Sequence, residues 1–214
     1  MTLDVVNLGL PKSGTTTLAR ALAEAGFTVA DHRLRDKEED KPGKRRIFVA
    51  NLLYRGLYEH GDPMALLPGY TAISEMSFIH GKFSVWPQCD FILLRAFKEQ
   101  FPALKFIATR RDARSHSKSI MAWNNLGTTR LPNNPVPGLP VGYGKSEDQQ
   151  MRWIDGHYEA LRHWFRNDPD YLELDVADAD AQTRVANFLG RDMPWWGKAN
   201  ENRKAKAAKK ARAS

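Results

Sequence analysis

The chain has 214 residues, 42% of them apolar and 27% charged, a size and balance suited to one globular domain with a sizeable core. Its single cysteine, Cys89, excludes an intrachain disulfide framework and a cysteine-built zinc site, which makes a reducing compartment the default. The net charge of +7 is a weak sign of nucleic-acid binding, because Arg203, Lys204, Lys206, Lys209, Lys210 and Arg212 supply six of those charges and the last twelve residues hold no acid. The chain is therefore read as one domain over residues 1–202 followed by a solvated basic tail over 203–214. Met1–Val6 lacks the basic region and apolar run of a signal peptide, and no apolar run is long enough to span a bilayer. A cytoplasmic protein without a membrane partner is the expectation.

Leu3 to Leu10 is a short, mostly apolar run that predicts a buried strand, ended by Gly9 and Pro11. Thr15 to Ala23 predicts a helix stopping near Gly26, and Phe27 to Ala30 a second strand. Asp36 to Lys44 is highly charged and reads as a surface loop. Ile47 to Tyr58 has helical spacing, and Tyr70 to Ser74 is another short strand. Asp90 to Phe101 predicts a helix with Phe91, Leu94, Phe97 and Phe101 on one side. Leu104 to Thr109 is the clearest second buried strand, followed by a helix over Asp112 to Trp123. Gly127 to Gly144 is rich in Pro, Gly and Asn and too long for an ordinary connection, which marks a functional loop or lid. Asp148 to Phe165 predicts a long helix, Tyr171 to Val176 a strand and Ala181 to Leu189 a last helix. Strands alternating with helices predict an α/β three-layer sandwich with a central parallel sheet of about five strands.

The chemistry concentrates in Gly9-Leu10-Pro11-Lys12-Ser13-Gly14-Thr15-Thr16. A strand, a glycine-bounded loop and a helix start are the parts of a phosphate cradle: the glycines let the backbone N–H groups turn inward, and the helix N-terminus adds partial positive charge. In a nucleotide triphosphatase a lysine directly follows the second glycine. Here that position is Thr15, and the lysine sits inside the loop as Lys12. No strand ends in a clear magnesium-binding Asp.

Pro11-Lys12-Ser13-Gly14-Thr15-Thr16 resembles the 5′-phosphosulfate loop of sulfotransferases that use 3′-phosphoadenosine 5′-phosphosulfate (PAPS). The resemblance implies that Pro11, Lys12, Ser13, Gly14, Thr15, Thr16 and Thr17 contact the donor and that Lys12 neutralises charge on the bridging oxygen as the sulfuryl group leaves. It implies no metal. Where that family places an adenine-packing tryptophan, this chain has Thr17. The family also grips the donor's 3′-phosphate with an arginine at a strand end and a serine eight residues on, and Arg111 and Ser119 have that separation. Arg110 with Lys118, or a pairing that uses Ser117, is the alternative register.

The proton acceptor expected by the resemblance is a strand-end histidine in cytosolic members and a glutamate in relatives acting on sugars. Glu75, after Thr71-Ala72-Ile73-Ser74, stands at the matching place, with His32 and His80 as alternatives. The expected partner is a small-molecule or glycan acceptor. Two rival readings stay open: a P-loop small-molecule kinase, and a non-enzymatic nucleotide- or nucleic-acid-binding module working through the basic tail.

Overall fold

The computed structural model describes residues 2–34, 47–81 and 83–199. The charged loop read over 36–44 and the tail over 203–214 lie outside the described residues. The first strand, β1 (Val5–Asn7), is fully buried and runs into the glycine-bounded turn, after which α1 (Thr15–Glu24) begins. It is followed by β2 (Val29–Ala30), β3 (Arg33–Leu34), β4 (Ile47–Phe48), α2 (Val49–His60), β5 (Ala72–Ile73), β6 (Phe78–His80) and β7 (Phe83–Val85). A 3-10 turn at Pro87–Cys89 leads into α3 (Phe91–Gln100), and then come β8 (Lys105–Arg110) and α4 (Ala113–Met121). A π-helical turn (Leu126–Arg130), α5 (Leu131–Asn133), α6 (Glu147–Trp164), β9 (Tyr171–Asp175) and α7 (Ala181–Leu189) complete the described chain.

Five strands form one parallel sheet in the order β2-β5-β1-β8-β9, as the alternation of strands and helices predicts. On one face α1 and α7 bury Leu18, Leu22 and Val185 against Val5, Ile107 and Leu174. On the other face Leu53, Phe97, Ile120 and Tyr158, from α2, α3, α4 and α6, close over Leu8, Leu10 and Phe106. The arrangement is a three-layer α/β sandwich with a central parallel sheet. The two faces explain why β1 and β8 bury consecutive residues rather than alternate ones.

Several local readings differ from the structure. β3 with β4 and β6 with β7 form two small antiparallel ladders that no sequence pattern announced, because strands of two or three residues are too short to show a period of two. Helix α3 turns Leu93, Leu94, Ala96 and Phe97 inward and leaves Phe91 61% exposed. Asp90 caps its first turn by accepting from the Ile92 and Leu93 N–H groups, which fixes Phe91 on the outer side. Residues 127–144 are not a loose lid: the π-helical turn and α5 bury Leu126 and Leu131, and a tight turn bridging Val136 and Leu139 buries both of those side chains.

The carboxyl edge of the sheet is organised by Asn7, which is 1% exposed. Its Nδ2 donates to the Ser74 carbonyl at 2.7 Å, just beyond β5. Its Oδ1 accepts from the Gly9 N–H, the Thr109 N–H and the Thr109 hydroxyl at 3.1, 3.1 and 3.2 Å. One side chain thereby ties three adjacent strand ends to the loop. Asn7→Ala strands a buried carbonyl and two buried N–H groups, so chemical denaturation is expected to show a loss of about 2–4 kcal/mol. A loss under about 0.5 kcal/mol would refute this role for Asn7.

Candidate functional site

The glycine-bounded loop lies at the carboxyl end of β1, between β5 and β8, where an open parallel sheet leaves a ligand crevice. Its glycines are sterically required. A Cβ on Gly9 would come within 2.2 Å of the Thr109 hydroxyl oxygen, and one on Gly14, whose φ is 120°, within 2.6 Å of Val176. Lys12 also has positive φ, 72°, a conformation that costs a non-glycine residue about 1–2 kcal/mol and that the surrounding contacts must hold in place.

Those contacts come from three aromatic residues of the neighbouring helices. His116, on α4 and fully buried, donates its Nε2–H to the Pro11 carbonyl at 2.8 Å. His157, on α6, donates its Nε2–H to the Leu8 carbonyl at 2.9 Å, while its Nδ1 faces the Cys89 thiol at 3.6 Å. Tyr158 donates to the Thr109 carbonyl at 2.7 Å. A carbonyl only accepts, so both imidazoles must carry a proton on Nε2. Burial pushes each of them down to about 4.

Within the loop, Ser13 is turned into the protein. Its hydroxyl bonds Thr109 at 2.8 Å and its N–H donates to the Leu10 carbonyl at 3.1 Å, so this residue shapes the loop and offers neither group to a ligand. Thr15 and Thr16 begin α1, and their N–H groups precede any i−4 carbonyl of that helix. Thr16 is exposed, whereas the Thr15 hydroxyl contributes a hydrogen bond to Glu75. Thr17, at the place of the expected aromatic contact, donates instead to the Gly197 carbonyl at 2.9 Å and fastens the C-terminal segment to α1. In that segment Trp195 lies under the Arg20 guanidinium at 4.1 Å, and Trp196 donates to the Val176 carbonyl.

Lys12 is half-buried, with its ammonium 3.6 Å from the centre of the Trp123 ring. Burial lowers its pKa, the nearby Arg111 charge lowers it further, and Glu75 raises it. These couplings place Lys12, Arg111 and Glu75 in one neighbourhood. Among the described residues Arg111 has no ion-pair partner, and its Nε is buried without a hydrogen bond. The alternative register is occupied elsewhere: Arg110 pairs with Glu173 at 2.5 Å, and Ser117 is buried with its hydroxyl donating to Gln150 at 2.8 Å. Arg111 and Ser119 are the half-exposed pair of this segment.

Glu75 is only 9% exposed. Burial raises its carboxyl to about 7, against the lowering effect of the Ser77 hydroxyl and N–H, which both donate to its Oε1. His32 donates from Nδ1 to the Ser77 carbonyl at 2.9 Å, which leaves Nε2 as the acceptor nitrogen, and burial lowers its pKa. Glu75 and His32 are thus joined through Ser77. His80 is exposed on β6 and stacks near Phe78, with no hydrogen bond to this group among the described residues. A groove of about 830 Å³ is lined by residues such as Tyr54, Trp86, Phe91 and Val141 and by none of the loop or Arg111–Ser119 residues. Among the described residues no three His, Cys, Asp or Glu side chains gather as a metal set, and no helix is long and apolar enough to cross a membrane.

Sequence reasoning missed Asn7, His116, His157 and Tyr158 as the loop's supports. A polar residue in an otherwise apolar strand was the available signal for Asn7; the other three act through backbone carbonyls that no motif encodes.

The model of the family described as "Sulfotransferase domain" matches residues 4–140, more than half of the chain. Among solved structures, the sulfotransferase domain from the Synechococcus PCC 7002 olefin synthase is similar at 13% identity, with a TM-score of 0.47 over 92% of this chain and 78% of that one. That likeness is too distant to carry an argument. No curated protein matches the sequence significantly.

Both loop-supporting histidines titrate lower in the folded protein than their ordinary 6.5, so the unfolded chain binds more protons as pH falls. Their contribution to stability is complete above about pH 6.5 and is lost toward pH 4, on the order of 2 kcal/mol each by pH 5. Glu75, whose pKa is raised, acts in the opposite sense between 4.5 and about 7. His157→Asn is therefore expected to be less stable than the parent at pH 7.5 but to lose fewer degrees of Tm between pH 7.5 and 5. Parallel Tm–pH curves would show that His157 is not held neutral.

Proposed function

The chain belongs to the sulfotransferase domain family, and we propose that it moves a sulfuryl group from 3′-phosphoadenosine 5′-phosphosulfate to a hydroxyl or amine of a small-molecule or glycan acceptor. The observation that carries this reading is the cationic pair at the loop. Lys12 and Arg111, which has no ion-pair partner among the described residues, lie by the N-terminus of α1, and the carboxylate that tempers Lys12 is Glu75, itself raised to about 7. Such a neighbourhood lacks negative charge that an anionic ligand would supply. The loop suits a phosphate: Gly9 and Gly14 leave no room for a Cβ against Thr109 and Val176, so the backbone can curl tightly there, and the buried Arg111 Nε lacks an acceptor.

In this reading the N–H groups of Gly14, Thr15 and Thr16 hold the 5′-phosphate, and Arg111 with Ser119 holds the 3′-phosphate. The aromatic contact to adenine, absent at Thr17, comes from the Trp195–Trp196 segment that Thr17 tethers to α1. The acceptor oxygen attacks sulfur as the bond from sulfur to the bridging phosphate oxygen breaks. Lys12 stabilises the charge that develops on that oxygen. The acceptor's proton passes to Glu75, with His32 Nε2 as the second base within the same Ser77-linked pair.

Calorimetry with adenosine 3′,5′-bisphosphate, without metal, tests the donor. Micromolar binding is expected, weakened about 10- to 100-fold in Arg111→Ala, which is the loss of one or two charge-assisted hydrogen bonds. Tighter binding of ATP with magnesium, or bisphosphate binding indifferent to Arg111→Ala, would favour the kinase reading.

The base is tested by rate against pH. A carboxyl near 7 must be deprotonated to act, so kcat is expected to rise through about pH 7 and then level. Glu75→Gln should lower kcat by about 10²- to 10⁴-fold and remove that step, while bisphosphate affinity holds. If the step vanishes only in His32→Gln, the base is His32.

A further inference from the structure

Arg130 is a cation that neither the phosphate loop nor the donor reading uses. It ends the π-helical turn Leu126–Arg130, in which its N–H bonds the Asn125 carbonyl at 2.9 Å across five residues. Its own carbonyl accepts from Asn134 Nδ2 at 2.9 Å, and Leu131 and Pro132 are buried directly after it. A single π turn inserts one residue into a helix and re-aims the side chains beside it, a device found often at functional sites. The backbone that presents Arg130 is therefore fixed.

The side chain it presents is under-used. Of its five N–H donors, Nη1 reaches the Ile79 carbonyl at 3.3 Å, and Nε is buried with no partner. Among the described residues no carboxylate pairs with it, in contrast to Arg110 and Arg162, which share Glu173. Burying a guanidinium without a counter-charge is costly, and the cost falls when an anion arrives.

Its charge reaches a candidate base. The charge of Arg111 acts on Lys12, whereas the charge of Arg130 acts on His32. His32 is joined through Ser77 to Glu75 and packs edge-on against Phe48, which in turn lies 3.9 Å from Phe78, centre to centre. The segment that leads to Arg130 starts at Trp123, under the Lys12 ammonium. Arg130 Nη1 bonds the carbonyl of Ile79, two residues past the Ser77 that joins Glu75 to His32, so Arg130 stands beside the two candidate bases.

We propose that Arg130 selects the acceptor: it binds a carboxylate on the molecule to be sulfated, so that the substrates are hydroxy acids rather than neutral alcohols or phenols. This rests on the sulfotransferase reading for the identity of the reaction, but not for the binding of the carboxylate. A bidentate guanidinium–carboxylate pair would use Nε and an Nη together, satisfying the orphan donor and orienting the hydroxyl toward Glu75 and His32.

The test uses the full chain and two acid–ester pairs, 4-hydroxyphenylacetate and glucuronate, each beside its methyl ester. Binding is measured by calorimetry with and without saturating adenosine 3′,5′-bisphosphate, and turnover with labelled donor. At least one acid is expected to bind about 10-fold or more tightly than its ester. Arg130→Gln should erase that preference through a raised KM, Arg130→Lys should retain part of it, and both should keep parent-like bisphosphate affinity and melting behaviour. Equal binding of acid and ester in both pairs, failure of both acids to bind, or an unchanged preference in Arg130→Gln overturns the proposal. Weakened bisphosphate binding in Arg130→Gln also overturns it, by placing Arg130 on the donor. If the bisphosphate never binds but Arg130-dependent carboxylate binding persists, the donor reading fails and the Arg130 assignment stands.

Discussion

The carboxyl edge of this sheet hangs on one buried carboxamide. Asn7 faces three groups that the strands themselves leave unpaired: the Ser74 carbonyl past β5, the Gly9 N–H at the mouth of the loop, and the Thr109 N–H near the end of β8. An amide has both a donor and an acceptor, and here each is used, with the Thr109 hydroxyl accepted as well. That hydroxyl in turn accepts from Ser13, so the loop's inner wall continues the same network. Remove the carboxamide and the strand ends keep their sheet bonds but lose their common reference, on which the position of Lys12 depends.

Around this anchor the protein places titratable groups in states water would not favour. His116 and His157 are neutral because burial forbids their charge, and they spend their protons on loop carbonyls. Glu75 is raised by the same burial, while Lys12 and Arg111 press their charges on each other. The same desolvation strengthens every charge contact made within this neighbourhood.

The loop was legible because its requirements are local. Gly9 and Gly14 are needed for contacts within a few residues of the turn or across one strand, and the displaced Lys12 is visible as a letter in a short string. The Arg111–Ser119 spacing was legible but not its register. Only packing shows Arg110 drawn to Glu173 on β9 and Ser117 drawn to Gln150 on α6, 63 and 33 residues away. The small ladders of β3 with β4 and β6 with β7 were invisible for a different reason: two or three residues carry no period. Phe91 was misplaced because a side-chain cap, rather than apolar spacing, sets where α3 begins.

The sequence by itself determined the order of the five sheet strands and the long helices between them, the parallel sheet they imply and a glycine-bounded turn after β1, since each follows from patterns over neighbouring residues. Tertiary structure alone decided what supports that turn and what faces it. The carbonyls of Leu8 and Pro11 found histidines on distant helices, Thr17 found Gly197, and Glu75 and His32 met through Ser77. Except for the local Glu75–Ser77 link, these are hydrogen bonds between side chains and backbone groups far apart in the chain. Backbone carbonyls are chemically identical at every position, so no residue pattern can say which one a buried imidazole will choose until the sheet and helices have brought them within reach.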